Sequence, residues 1–223
     1  MEIRRIDLET YPRREHFQNF LSMSHPALQL TVSVDITAWF QGLKAAGAPF
    51  FLSFQYAVVR AANQVPEFRQ RIVDGGIVEY PFCNPSYTVA APDGTYRYCL
   101  VHVDQPFSAY LSEAEKKQRA ALLSSHLEEE GDVLGQLFIS CVPWISYDSL
   151  LMPWPSPTFS IPSITWGKAV RDVRLVLDAG VPVEKETVTL PVTVMVNHAL
   201  MDGLHLSRFF DGLRQELDRF WAR

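Results

Sequence analysis

Near Phe68 the sequence changes period, and that change limits the folds open to the chain. Upstream, Phe17, Phe20 and Leu21 recur at helical spacing between Arg13 and Met23, and the alternating run from Leu28 to Val34 reads as a half-buried strand. Asp35 stands where an N-cap belongs, before ITAWFQGLKAAG. Gly47 and Pro49 stop that helix, and Pro49 suits the first turn of a second, FFLSFQYAVVRAANQ. Downstream, RQRIV and IVEY flank a D-G-G turn from Asp74 to Gly76, while SYTVA and TYRYCLVHV flank a P-D-G turn. These hairpins predict an antiparallel sheet region.

The stretch from Pro106 to Glu130, rich in Ala, Leu, Glu and Lys, reads as a solvent-facing helix ended by Gly131 and Asp132. LFISCVPW reads as a strand. The five prolines from Pro143 to Pro162 then exclude regular structure and predict a loop over the fold. ITWGKAV and VTLPVTVMVN read as two further strands, and the last helix carries Leu206, Phe209, Phe210, Leu213, Leu217 and Phe220 on one face. At 223 residues and 48% hydrophobic content, with no repeat and no linker, residues 1–223 read as one domain. The expected class is α/β, an α+β sandwich with a large mixed, mainly antiparallel sheet covered by helices.

Three cysteines without C-x-x-C spacing argue against a disulfide framework and a zinc cluster, so no metal is expected. A net charge of −5 without a basic run gives no general attraction to phosphate backbones, which argues against nucleic acid as a partner. No apolar run reaches the length of a membrane span, and MEIRRIDLET lacks the features of a signal peptide. These features predict a soluble, cytoplasmic protein with no membrane partner.

The segment Val196 to Gly203 carries the strongest chemical signal: a strand ends, His198 and Asp202 lie four apart, and Gly203 lets the chain turn sharply into a helix. A histidine before a helix is more often packed or capping than catalytic, so the spacing alone is weak. Its context is more specific. Arg13-Arg14-Glu15-His16-Phe17, Val34-Asp35-Ile36-Thr37, Asn63-Gln64 with Phe68-Arg69, Thr88, Ile139-Ser140, Pro143-Trp144, Ile164-Thr165 with Lys168, and His198 to Gly203 followed by His205 occur in that order. In this ordered set the chain resembles the chloramphenicol acetyltransferase family, of the coenzyme A-dependent acyltransferase fold.

The resemblance implies direct transfer from acetyl-CoA, as co-substrate, in a ternary complex without an acyl-enzyme. His198 would take the proton of the accepting hydroxyl, a role suited to an imidazole whose unperturbed pKa is about 6.5. Ser140 would donate to the tetrahedral oxyanion, and Thr165 would hold a water facing the same oxygen. A strand-end serine or a β-propensity threonine with no role is the plainer reading of each. Asp202 invites a triad reading, but the resemblance pairs it with Arg13 in a supporting role. Lys168 would meet a coenzyme A phosphate and Trp144 the pantetheine arm, against plainer readings as solvated lysine and packed tryptophan. Ala169 stands where relatives commonly carry an aromatic ring beside adenine.

For the acceptor, the resemblance points to Phe20, Thr88, Tyr96 and Ser140, with Tyr98 on the same strand face as Tyr96. It implies acetylation of the primary hydroxyl of chloramphenicol, hence antibiotic inactivation. A different small hydroxyl or amine is the alternative, because Asn197 replaces a usual histidine, Met201 a usual cysteine, and fold alone does not set the acceptor. A homotrimer is implied, its sites lying between subunits, with His198 from one chain and Ser140 and Thr165 from its neighbour.

Overall fold

The computed structural model describes residues 2–124, 127 and 130–222. A short strand β1 (Arg4–Ile6) precedes α1 (Arg14–Leu21), β2 (Ala27–Asp35), α2 (Thr37–Ala46) and α3 (Phe50–Asn63). The strands β3 (Gln70–Val73), β4 (Gly76–Glu79), β5 (Asn84–Ala90) and β6 (Tyr96–Leu100) follow, then α4 (Phe107–Leu123). The chain closes with β7 (Gln136–Cys141), β8 (Ser163–Trp166), β9 (Val170–Asp178), β10 (Val181–Asn197) and α5 (Gly203–Asp218).

Local chemistry explains several of these boundaries. The Asp35 carboxylate accepts from the Thr37 N–H at 2.9 Å, satisfying a donor that the first turn of α2 leaves open. Gly47, at φ 60°, ends α2 in the left-handed conformation that costs glycine least. The helix expected over Pro106 to Glu130 ends at Leu123. Leu127 and Glu130 carry no regular structure, and residues 125, 126, 128 and 129 lie outside the described set.

The main sheet has the order β2-β10-β8-β7-β5-β6, with β9 paired to the first half of β10, and β1-β4-β3 form a separate small sheet. β5–β7 and β7–β8 are parallel, while β2–β10, β8–β10, β9–β10 and β5–β6 are antiparallel. The expected mixed, mainly antiparallel sheet is therefore present. Period-two alternation sorts its residues into two faces. Leu190, Val192, Val194 and Val196 of β10 lie with Ile164 and Trp166 of β8. On this face the Trp166 ring meets Phe54 of α3 at 5.1 Å. One hydrophobic cluster joins these strands to α2, α3 and α5. Burying each large side chain there contributes about 1.5–3 kcal/mol. Arg60 of α3 and Gln64, the residue that caps its C-terminal end, donate to Glu216 of α5 at 3.1 and 2.8 Å, tying the two helices together.

The opposite face carries Thr193, Met195 and Asn197 of β10 beside Ser163 and Thr165 of β8. Here the proline-rich loop between β7 and β8 supplies the cover: the Met152 N–H is held by the Gln29 side chain at 3.1 Å. Two elements were absent from the sequence reading, β1 and the β9–β10 ribbon. The ribbon turns at Ala179 and Gly180, both with positive φ, as a two-residue hairpin loop requires. Val173, Leu175 and Leu177 on β9 are all exposed.

Candidate active site

His198 follows directly on β10. Its N–H donates to the Pro26 carbonyl at 2.7 Å, which keeps the start of the turn tied to β2. Its ring nitrogen Nδ1 lies 2.9 Å from the Met201 carbonyl. A carbonyl only accepts, so Nδ1 carries the hydrogen and, in the neutral ring, Nε2 keeps a lone pair. The Phe20 ring lies flat against the imidazole, with centroids 3.9 Å apart and an interplanar angle of 13°. Backbone and ring contacts together leave the imidazole few orientations.

Arg13 and Asp202 form an ion pair, and Arg13 Nη2 also reaches the His198 carbonyl at 3.4 Å. The same carboxylate caps α5, accepting from the Leu204 N–H at 3.0 Å, and His205 Nδ1 lies 3.1 Å from the Asp202 N–H in a capping box. His205 Nε2 stands 3.5 Å from Glu67. Burial raises the Asp202 carboxyl, but Arg13, His205 and the Leu204 N–H outweigh it and hold the group below its ordinary range. The carboxylate is thus engaged by Arg13 and the helix start. Its capping role went unread in the sequence, because the usual signature has Glu or Gln three residues after the cap and His205 stands there instead.

A second group of predicted residues lies elsewhere on the chain. Ser140 and Thr165 are register partners on the parallel strands β7 and β8. With Thr88 and Tyr98 they line a cavity of about 460 Å³. Thr165 is buried, and its hydroxyl donates to the Met152 thioether at 3.2 Å. Tyr96 is exposed, its ring 5.6 Å from that of Tyr98, and is not part of the cavity wall. His198 and Phe20 are not part of this cavity wall. The predicted residues therefore separate within one chain into a histidine group and a cavity group.

The cavity also takes Phe138, Ser163, Met195, Met152 and Phe159, none of which the sequence reading singled out. Met152 and Phe159 come from the proline-rich loop, so the loop itself was the available signal. Trp144 and Lys168 are both exposed, on neighbouring segments, since the Lys168 N–H donates to the Ile145 carbonyl at 2.8 Å. Gly167 permits this approach: a Cβ there would stand 2.7 Å from the Ile145 carbonyl and 2.9 Å from Pro191. Burial pushes the Cys141 thiol, next to Ser140, up to about 11, which keeps it protonated and unreactive. Among the described residues no group of three or more His, Cys, Asp or Glu is arranged to hold a metal ion, and no helix is long and apolar enough to cross a membrane.

Residues 1–214 match the family model described as Chloramphenicol acetyltransferase. The chain belongs to the chloramphenicol acetyltransferase family. Chloramphenicol acetyltransferase 2 of Haemophilus influenzae is 30% identical over 231 residues, covering 98% of each chain. Chloramphenicol acetyltransferase 2 of Escherichia coli is 29% identical over 221 residues, again covering 98% of each. A solved chloramphenicol acetyltransferase superposes with a TM-score of 0.73 at 27% identity, covering 97% of this chain and 98% of that one. The dihydrolipoamide acetyltransferase of Azotobacter vinelandii shares the fold, with a TM-score of 0.64 at 18% identity over 94% of this chain and 88% of that one. As a member of the chloramphenicol acetyltransferase family, the protein is an acyltransferase whose family uses acetyl-CoA as co-substrate.

Proposed function

We propose that this family member acetylates the primary hydroxyl of chloramphenicol, working as a cytoplasmic homotrimer of single-domain chains with sites between subunits. The single observation that carries the mechanism is the commitment of His198 Nδ1–H to the Met201 carbonyl, which makes Nε2 the basic nitrogen. Nε2 takes the hydroxyl proton as the oxygen attacks the thioester carbonyl carbon of acetyl-CoA, giving a tetrahedral oxyanion. Collapse breaks the carbon–sulfur bond, and the imidazolium returns its proton to the departing thiolate. A donor aimed at the oxyanion stabilises the transition state more than the ground state. Ser140 fills this role, with Thr165 beside it holding a water once its hydroxyl leaves Met152. Arg13 and Asp202 hold the histidine turn, Lys168 and Trp144 receive the phosphate and pantetheine parts of coenzyme A, and Thr88, Tyr98, Tyr96 and Phe20 contact the acceptor.

Two features support shared sites. Within one chain the cavity wall contains Ser140 and Thr165 but not His198, so an arrangement that joins base and oxyanion donor needs a second chain. The ribbon exposes Val173, Leu175 and Leu177 in a row, an apolar surface of the kind another subunit covers. Thiol release from acetyl-CoA across a panel of alcohols and amines is the test. Chloramphenicol should give the highest kcat/KM, and an inert response to it with turnover of another acceptor would transfer the role to that compound. Mixed assemblies of His198→Ala and Ser140→Ala chains should regain part of the activity that each variant lacks. Silence of every mixture would refute shared sites.

A further inference from the structure

We infer that Asn197 is a positioning residue, which locks the acceptor-side loop of the cavity to the turn that carries His198. Asn197 is the last residue of β10 and has no exposed surface. Its Oδ1 accepts from the Ala199 N–H at 3.0 Å, and Nδ2 donates to the Pro157 and Phe159 carbonyls at 3.0 and 2.9 Å. The two carbonyls, which only accept, set the orientation of the amide. One buried side chain thus pairs with three main-chain groups, two carbonyls on the loop and the buried Ala199 N–H on the histidine turn.

Few side chains can do this. A carboxylate has no donor, and a neutral imidazole has one, whereas a primary amide offers two donors and an acceptor from one branch point. The loop needs such donors, because prolines at 153, 155 and 157 remove main-chain N–H groups and exclude regular structure. Its proline-rich stretch is held from the sheet at two points: Gln29 accepts the Met152 N–H at 3.1 Å, and Asn197 holds Pro157 and Phe159. Between these anchors Met152, Pro153, Pro155 and Phe159 line the cavity. Met152 also meets the Thr165 hydroxyl at 3.2 Å. Loosening the Asn197 anchor would therefore widen the wall that faces the acceptor and leave the outer segment of Trp144 and Lys168 in place. The inference rests on the cavity being the acceptor site.

Asn197→Asp is the decisive variant, since it keeps the shape and removes both donors. It should raise KM for the acceptor by roughly 10- to 100-fold, the scale of two lost hydrogen bonds, with KM for acetyl-CoA unchanged within about twofold. Hydrogen exchange should accelerate in peptides covering residues 150–162 and stay unchanged in α5. Asn197→His, which keeps one donor, should fall between Asn197→Asp and the parent in both measurements, and it serves as the test if Asn197→Asp does not fold. Unchanged exchange over residues 150–162, or an equal rise in both KM values, would overturn the inference. The exchange measurement needs no acceptor. A faster-exchanging loop whose variants alter KM for no alcohol or amine in the panel would therefore fault the assignment of the cavity as the acceptor site, and with it this role for Asn197.

Discussion

Strand β10 passes through two environments. From Leu190 to Asn197 every residue is buried, between β2 and β8 and beneath the helices. From Val181 to Glu186 every residue is exposed, and the strand pairs with β9 alone. Both halves contain β-branched residues, so β propensity does not separate them. They differ in what lies against them: the helices of the core cluster and the proline-rich loop cover one half, and the other half has water within a single chain. A two-stranded ribbon is at best marginally stable in water, which is why the proposed assembly is expected to cover the exposed half.

The largest effect should come from breaking the covered half. Val194→Asp places a carboxylate where no partner exists, at a cost of about 3–5 kcal/mol or more, and should abolish cooperative unfolding in urea. Retention of a sharp transition near the parent midpoint would mean that this half is less tightly covered than its burial indicates. The exposed half should respond in the opposite way. In Leu175→Asp with Leu177→Asp, each substitution should change the stability of the isolated chain by no more than about 0.5 kcal/mol. The pair should nevertheless convert the assembly to monomers in sedimentation experiments and remove acetyl transfer. An active, undissociated double variant would detach the ribbon from assembly.

A smaller effect is expected at the end of the covered half, where Asp202 meets Arg13. A carboxyl held below its unfolded value stabilises the fold above that value, and the contribution disappears as pH falls through the folded value. The ordinary Asp value is about 3.9, so urea midpoints should fall on acidification below about pH 4. Asp202→Asn keeps a good N-cap but has no charge to lose, and should flatten that part of the profile. Identical acid limbs for the two proteins would show that the pair adds nothing to stability.

Much of the frame was legible in the sequence. The helices α1, α2, α3 and α5 carry apolar faces or stop signals that act over a few residues, and the D-G-G turn between β3 and β4 is a local instruction of the same kind. The β9–β10 ribbon was missed because its alternation is interrupted by charges and its turn, Ala179-Gly180, lacks the Asn-Gly or Asp-Gly pair that marks such hairpins most clearly. The end of α4 at Leu123 was missed because good helix formers, Leu and Glu, return at positions 127–130 after Ser124, and propensity alone does not stop a helix. At the candidate site, His198 and Asp202 were singled out by the ordered set of motifs around them, since their spacing alone is weak. The loop residues Met152 and Phe159 were not, since proline-rich segments carry no period from which a facing direction can be read.

By itself the sequence determined the local grammar: which segments bury one face, where most helices stop, and that a histidine follows a strand four residues before an aspartate. Only the tertiary structure decided which distant groups meet. Arg13 and Asp202, 189 positions apart, come together through the packing of α1 on the turn before α5. Asn197 reaches two carbonyls about forty residues earlier because the loop folds back over the end of β10. The physical reason is range. Caps, turns and periodicity act across a few residues of backbone geometry, whereas contacts between remote segments follow from how buried faces stack.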